Sequence, residues 1–130
     1  MTLSDRGRQE LRGRALSFRY AFEGWWFALR TQRNTWIHAA VSVVVFALAF
    51  WLGIGRLEWA ILVLTTMAVW MAEFANTALE AMVDLVSPDY HPLAKAAKDV
   101  AAAAVLVGAL GAVIIGLLVL GPPLWQRLFG

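Results

Sequence analysis

Cysteine is absent from the 130 residues, which excludes disulfides and thiolate metal sites. Histidine occurs only at His38 and His91, too few for a zinc site built from histidine alone. Charge is scarce as well: 15% of residues are charged and 61% hydrophobic, a balance too apolar for an ordinary soluble domain. Both common nucleotide cradles are missing, because neither Gly-x-x-x-x-Gly-Lys-Ser/Thr nor Gly-x-Gly-x-x-Gly occurs. No small-residue cleavage site follows the first apolar stretch, so a retained helix is expected there.

What is present is three apolar stretches in a chain long enough for one domain. A hydrocarbon core of ~30 Å needs about 20 helical residues, and each stretch is long enough. The expected spans are 36–54, 57–86 and 92–120, separated by Gly53-Ile54-Gly55-Arg56 and by Ser87-Pro88-Asp89-Tyr90-His91-Pro92. His91 or its neighbours should cap the third span, and Gly121-Pro122-Pro123 should end it. Arg6, Arg8, Arg12, Arg14, Arg19, Arg30 and Arg33 precede the first span, and Lys95 and Lys98 follow the second. The opposite side has only Arg56 and Arg127, so the positive-inside rule predicts a cytoplasmic N-terminus. Trp51, Trp59 and Trp125 would form an aromatic belt on the far side.

Residues 1–35 are expected to form an amphipathic helix in the cytoplasmic interface. Leu11, Ala15, Phe18, Phe22, Trp25 and Leu29 recur every three or four residues, while Arg12, Arg14, Arg19, Glu23 and Arg30 take other faces. The plain alternative is an anchor without contact to substrate.

The second span carries an unusual polar stripe. At ~100° per residue, Glu80 and Asp84 fall within about 20° of Glu73, with Asn76 about 60° to one side. Counted from Trp59 at ~1.5 Å per residue, Glu73 lies ~21 Å into the membrane. A carboxylate there costs at least ~2 kcal/mol, so it should face protein or a water-filled cleft. Asn76 and Thr77 alone would suit hydrogen-bonded helix contact. Three carboxylates on one stripe do not, because like charges repel. Oxygen ligands at the interface suit Mg²⁺, which usually accompanies phosphate. Lys95 and Lys98, beside Asp99 at the start of the third span, supply the complement for a polyphosphate. Interfacial snorkelling is the bland reading of the two lysines.

Glu73-Phe-Ala-Asn76-Thr77-Ala78-Leu-Glu80-Ala-Met-Val-Asp84 resembles the E-x-x-N-[ST]-A-[IL]-E-x-x-x-D signature of the prokaryotic diacylglycerol kinase family. His91-Pro92-Leu93-Ala94-Lys95-Ala96-Ala97-Lys98-Asp99 resembles the same family and is closer to its undecaprenol-phosphorylating branch. Arg30-Thr31-Gln32-Arg33-Asn34 and His38 also resemble that branch. The resemblance covers about Phe18 to Leu120. It implies an all-α membrane protein in the bacterial inner membrane, with an N-terminal amphipathic interfacial helix and three transmembrane helices, assembled as a homotrimeric bundle. It further implies a single lipid kinase domain over 1–130, with a lipid alcohol, ATP and the bilayer as partners and no nucleic acid.

By the same resemblance, Glu73 is the general base and Glu80 a metal ligand that also touches ATP. Tyr20, Asn76, Asp89, Tyr90, His91, Lys98 and Asp99 contact the nucleotide, with Asp84 and Lys95 as supporting polar groups. Mg²⁺ is the expected cofactor and ATP the co-substrate. The sequence departs from the family at Gln32, where a glutamate would help hold the metal. An amide offers one oxygen and no charge, so metal affinity should fall. Gly13, between Arg12 and Arg14, stands where the family has a basic residue. The expected reaction converts undecaprenol to undecaprenyl phosphate, with diacylglycerol to phosphatidic acid as the alternative. Outside this class, intramembrane carboxylates also suit an ion or proton pathway, and Gln32 suits a catalytically weak membrane interaction protein.

Overall fold

A computed structural model describes the backbone of residues 3–130 and the side chains of residues 13 and 16–130. Four helices follow in order: α1 (Leu3–Thr31), α2 (Arg33–Leu52), α3 (Arg56–Val86) and α4 (Pro92–Phe129). α2, α3 and α4 are each long and apolar enough to cross a membrane. The chain divides into two units, Met1–Arg33 and Asn34–Gly130.

The first unit is α1. Phe18, Phe22, Trp25 and Trp26 are exposed, whereas Arg19 pairs with Glu23 at 2.7 Å and Arg30 stands 5.2 Å from the Trp26 ring. Aromatic side chains without a covering core suit a helix lying in a lipid interface. Leu11, Arg12, Arg14 and Ala15 of the expected amphipathic pattern, with Arg6 and Arg8 of the basic run, lie outside the residues whose side chains are described. The helix stops at Thr31, and α2 begins at Arg33, so α1 ends four residues before the expected position 35. Gln32 is the break. Its N–H still donates to the Ala28 carbonyl at 3.0 Å.

In the second unit, both turns follow from local chemistry. Gly53 takes φ +66°, a left-handed conformation that glycine adopts without steric penalty. The Glu58 carboxylate then accepts from the Gly55 N–H at 2.5 Å, which closes the first turn of α3. At the other connection, His91 Nδ1 accepts from the Leu93 N–H at 3.2 Å and Pro92 occupies the first helical position. The expected His91 cap is therefore present. The expected stop at Gly121-Pro122-Pro123 is not: α4 continues to Phe129 with both prolines inside it. Proline lacks a donor, but its fixed φ is compatible with a helix.

Ala49, Leu62 and Leu120, one from each span, form a small core near the α2–α3 turn, with Phe46 and Trp59 rings 5.9 Å apart beside it. The tryptophans assigned to one belt gather at this end, where Arg127 stands 5.3 Å from the Trp51 ring and the Trp125 and Phe129 rings lie 4.6 Å apart. Elsewhere the spans expose large apolar side chains such as Val43, Phe50, Leu64, Met71, Leu117 and Leu118. That pattern suits a chain whose solvent is lipid, since lipid tails offer these side chains an environment as apolar as a core.

Candidate active site

The stripe on α3 is built as a gradient of burial. Glu73 is 2% exposed, Asn76 and Thr77 are buried, Glu80 is half-buried and Asp84 is exposed. The helical period alone places them on one side, but neighbouring helices decide what each meets. Glu73 turns to α2, where Thr35 Oγ1 donates to its Oε1 at 3.2 Å and His38 Nε2 lies 3.7 Å from its Oε2. Thr77 Oγ1 donates back to the Glu73 carbonyl at 2.9 Å. One turn further, Asn76 Nδ2 donates to Glu80 Oε1 at 3.1 Å. Asn76 Oδ1 is buried and accepts no hydrogen bond.

Asn76 also faces a 490 Å³ groove between α3 and α4, whose walls are mainly Ala72, Ala75, Ala96, Ala97 and Ala101. At the α3–α4 connection a second, polar cavity of 380 Å³ is lined by Asp84, Asp89, Tyr90, His91, Lys95 and Lys98. Asp99 lines it too. Lys98 Nζ lies 2.5 Å from Asp84 Oδ1, and Lys95 pairs with Asp99 one turn along α4. The sequence assigned these lysines to phosphate, and each meets a carboxylate. Exposed pairs of this kind are worth about 0–1 kcal/mol, so a polyanion can displace the carboxylate at small cost.

Among the described residues, no three of His, Asp and Glu converge to hold a metal ion. Mg²⁺ does not need such a cage, for it usually binds through one or two carboxylates together with substrate phosphates. Glu80 and the orphaned Asn76 Oδ1 are hard oxygen donors one turn apart, and they fit such a cation. Tyr20 and Gln32 belong to the first unit, described by itself. Thr35 and His38 are the neighbours of Glu73 that sequence reasoning did not assign to it. Their spacing of three along α2 was the available signal.

Residues 19–120, which contain the stripe, match the model of the prokaryotic diacylglycerol kinases. The chain belongs to that family. It is 49% identical over 110 residues to a diacylglycerol kinase of Synechocystis, covering 84% of this chain and 63% of that protein. An undecaprenol kinase of Bacillus subtilis is 44% identical over 117 residues, covering 90% of this chain and 95% of the relative. A diacylglycerol kinase of Helicobacter pylori is 32% identical over 106 residues, covering 76% and 83% respectively. The chain thus spans less than two thirds of the Synechocystis protein and nearly all of the Bacillus one. It is a multi-pass membrane protein of a lipid kinase family, whose co-substrate is ATP.

Proposed function

We propose that this chain transfers the γ-phosphoryl group of ATP to the hydroxyl of a membrane lipid alcohol, with undecaprenol as the substrate. The observation that carries this reading is a carboxylate, Glu73, buried within a transmembrane helix and followed toward one end by Asn76, Glu80 and Asp84. Glu73 accepts the hydroxyl proton, the substrate oxygen forms a bond to the γ-phosphorus, and the bond to ADP breaks. Lys98 binds the phosphates. Glu80 and Asn76 hold Mg²⁺, which when bound neutralises charge developing on the phosphates. Undecaprenol is favoured over diacylglycerol by the near-complete match to the Bacillus undecaprenol kinase, against partial coverage of the Synechocystis diacylglycerol kinase. Radiolabelled ATP supplied with each lipid in turn tests the choice: label should enter undecaprenol faster. Faster labelling of diacylglycerol would reverse it.

The site is also proposed to lie between subunits of a homotrimer, with residues 1–130 as one lipid kinase domain and the N-terminus at the cytoplasmic face of the inner membrane. A single chain buries few apolar side chains, and its alanine-walled groove at Asn76 admits the close approach of another helix. Ala104, Gly108, Ala112 and Gly116 recur every four residues on α4, a spacing that permits close helix contact. Gly108 faces Val69 of its own chain, and Ala112 and Gly116 line a cavity among α2, α3 and α4. Crosslinking in mild detergent should yield trimers; monomers alone would refute the shared site.

Gln32→Glu should lower the Mg²⁺ concentration needed for half-maximal rate, because it adds a charged oxygen ligand where the amide has none. An unchanged Mg²⁺ titration would mean that position 32 does not serve the metal.

A further inference from the structure

Glu73 is held from outside its own helix. A carboxylate at this depth is stable only when paired or hydrogen-bonded. Its polar neighbours on α2, Thr35 and His38, are three residues apart and so share a face of that helix. Thr35 is 0% exposed, and its hydroxyl on Oε1 fixes the rotation of the carboxylate plane. Oε2 is left facing the His38 imidazole at 3.7 Å, beyond hydrogen-bond reach but within range of a charge or of a small intervening group. His38 also lines a 450 Å³ apolar cavity whose walls include Val41, Val45, Val69 and Leu117. The imidazole therefore belongs both to the wall of an apolar chamber and to the surroundings of the carboxylate.

We propose that Thr35 and His38 are positioning residues for the phosphoryl transfer. Thr35 occupies one carboxylate oxygen, and His38 orients the other, Oε2, to take the proton of the lipid hydroxyl. This assignment rests on the role of Glu73 as base. Neither residue gains or loses a bond in the step; the hydroxyl proton passes to Oε2 as the oxygen bonds to phosphorus and ADP leaves. A merely structural contact between α2 and α3 would lower kcat and ATP affinity together, by loosening the whole unit. Positioning acts on the proton transfer and leaves ATP binding, at the Lys98 end, unchanged.

The test uses the full-length protein in lipid vesicles with undecaprenol and ATP, comparing Thr35→Val, Thr35→Ser, His38→Leu and His38→Gln with Glu73→Gln. Thr35→Val and His38→Leu are expected to lose about 10–10²-fold in kcat with the KM for ATP unchanged, the scale of a small misplacement of a reacting group. Thr35→Ser, which keeps the hydroxyl, should restore most of the rate, and His38→Gln part of it. These conservative variants also serve if the apolar ones fail to accumulate. Parent-like kcat in Thr35→Val and His38→Leu beside an inactive Glu73→Gln would overturn the proposal alone. So would a rise in the KM for ATP that matches the loss in kcat, or Thr35→Ser no better than Thr35→Val. Parent-like turnover in Glu73→Gln would instead remove the base assignment, and this proposal with it.

Discussion

Glu73→Gln should lower kcat by about 10²–10⁴-fold, the usual contribution of a positioned general base, while ATP binds as in the parent. The substitution is nearly isosteric. The amide oxygen can still accept from Thr35, so the packing of α2 on α3 has no reason to change. What changes is the atom facing His38: an NH₂ group that donates replaces an oxygen that accepts. The lipid hydroxyl then has nowhere to send its proton. Initial rates of lipid phosphorylation, with ATP binding measured by equilibrium titration, check the claim. A rate near that of the parent would reject Glu73 as base. Loss of ATP binding together with turnover would point to a structural role.

The parts of this molecule that depend on helical period were open to sequence reasoning. Glu73, Asn76, Glu80 and Asp84 share a side of α3 whatever packs around them, and their gradient from buried to exposed follows from counting residues into the span. Caps and turns were also open, because Gly53, Gly55 and His91-Pro92 act on their immediate neighbours. The end of α4 was misjudged by a rule from water-exposed helices, in which paired prolines mark a stop. Pro122 and Pro123 each remove a donor, yet their fixed φ lets α4 run on to Phe129. Contacts set by the register of one helix against another could not be read. Thr35 and His38 meet Glu73 across 38 and 35 positions, and no local pattern reports how far α2 is slid or rotated along α3. The spacing of Ala104, Gly108, Ala112 and Gly116 on α4 is of the same kind: it permits a close contact without saying which helix makes it.

The resemblance set Lys98 on the nucleotide and Lys95 beside it as support, and the two lysines have different partners in the structure. Lys95 pairs within its own helix with Asp99 at i,i+4, whereas Lys98 reaches across to Asp84 on α3, where the carboxylate stripe ends. A nucleotide whose terminal phosphate approaches Glu73 must pass along that stripe, so Lys98 is the cation positioned to meet it. A hydrogen bond to a charged group is worth about 1.5–3 kcal/mol. Losing one should therefore raise the KM for ATP in Lys98→Ala by about 10–10²-fold. Lys95→Ala should change it far less, because an exposed i,i+4 pair contributes only about 0.3–0.5 kcal/mol and does not join α4 to the stripe. Asp84→Asn separates the two possible functions of the cross-helix pair. If Asp84 chiefly occupies Lys98 between turnovers, removing its charge should lower the KM for ATP. If the pair chiefly holds α3 against α4, Asp84→Asn and Lys98→Ala should weaken ATP binding alike, and the phosphate-binding role of Lys98 would be lost. Steady-state kinetics at saturating lipid, varying ATP across the three variants, decides between them.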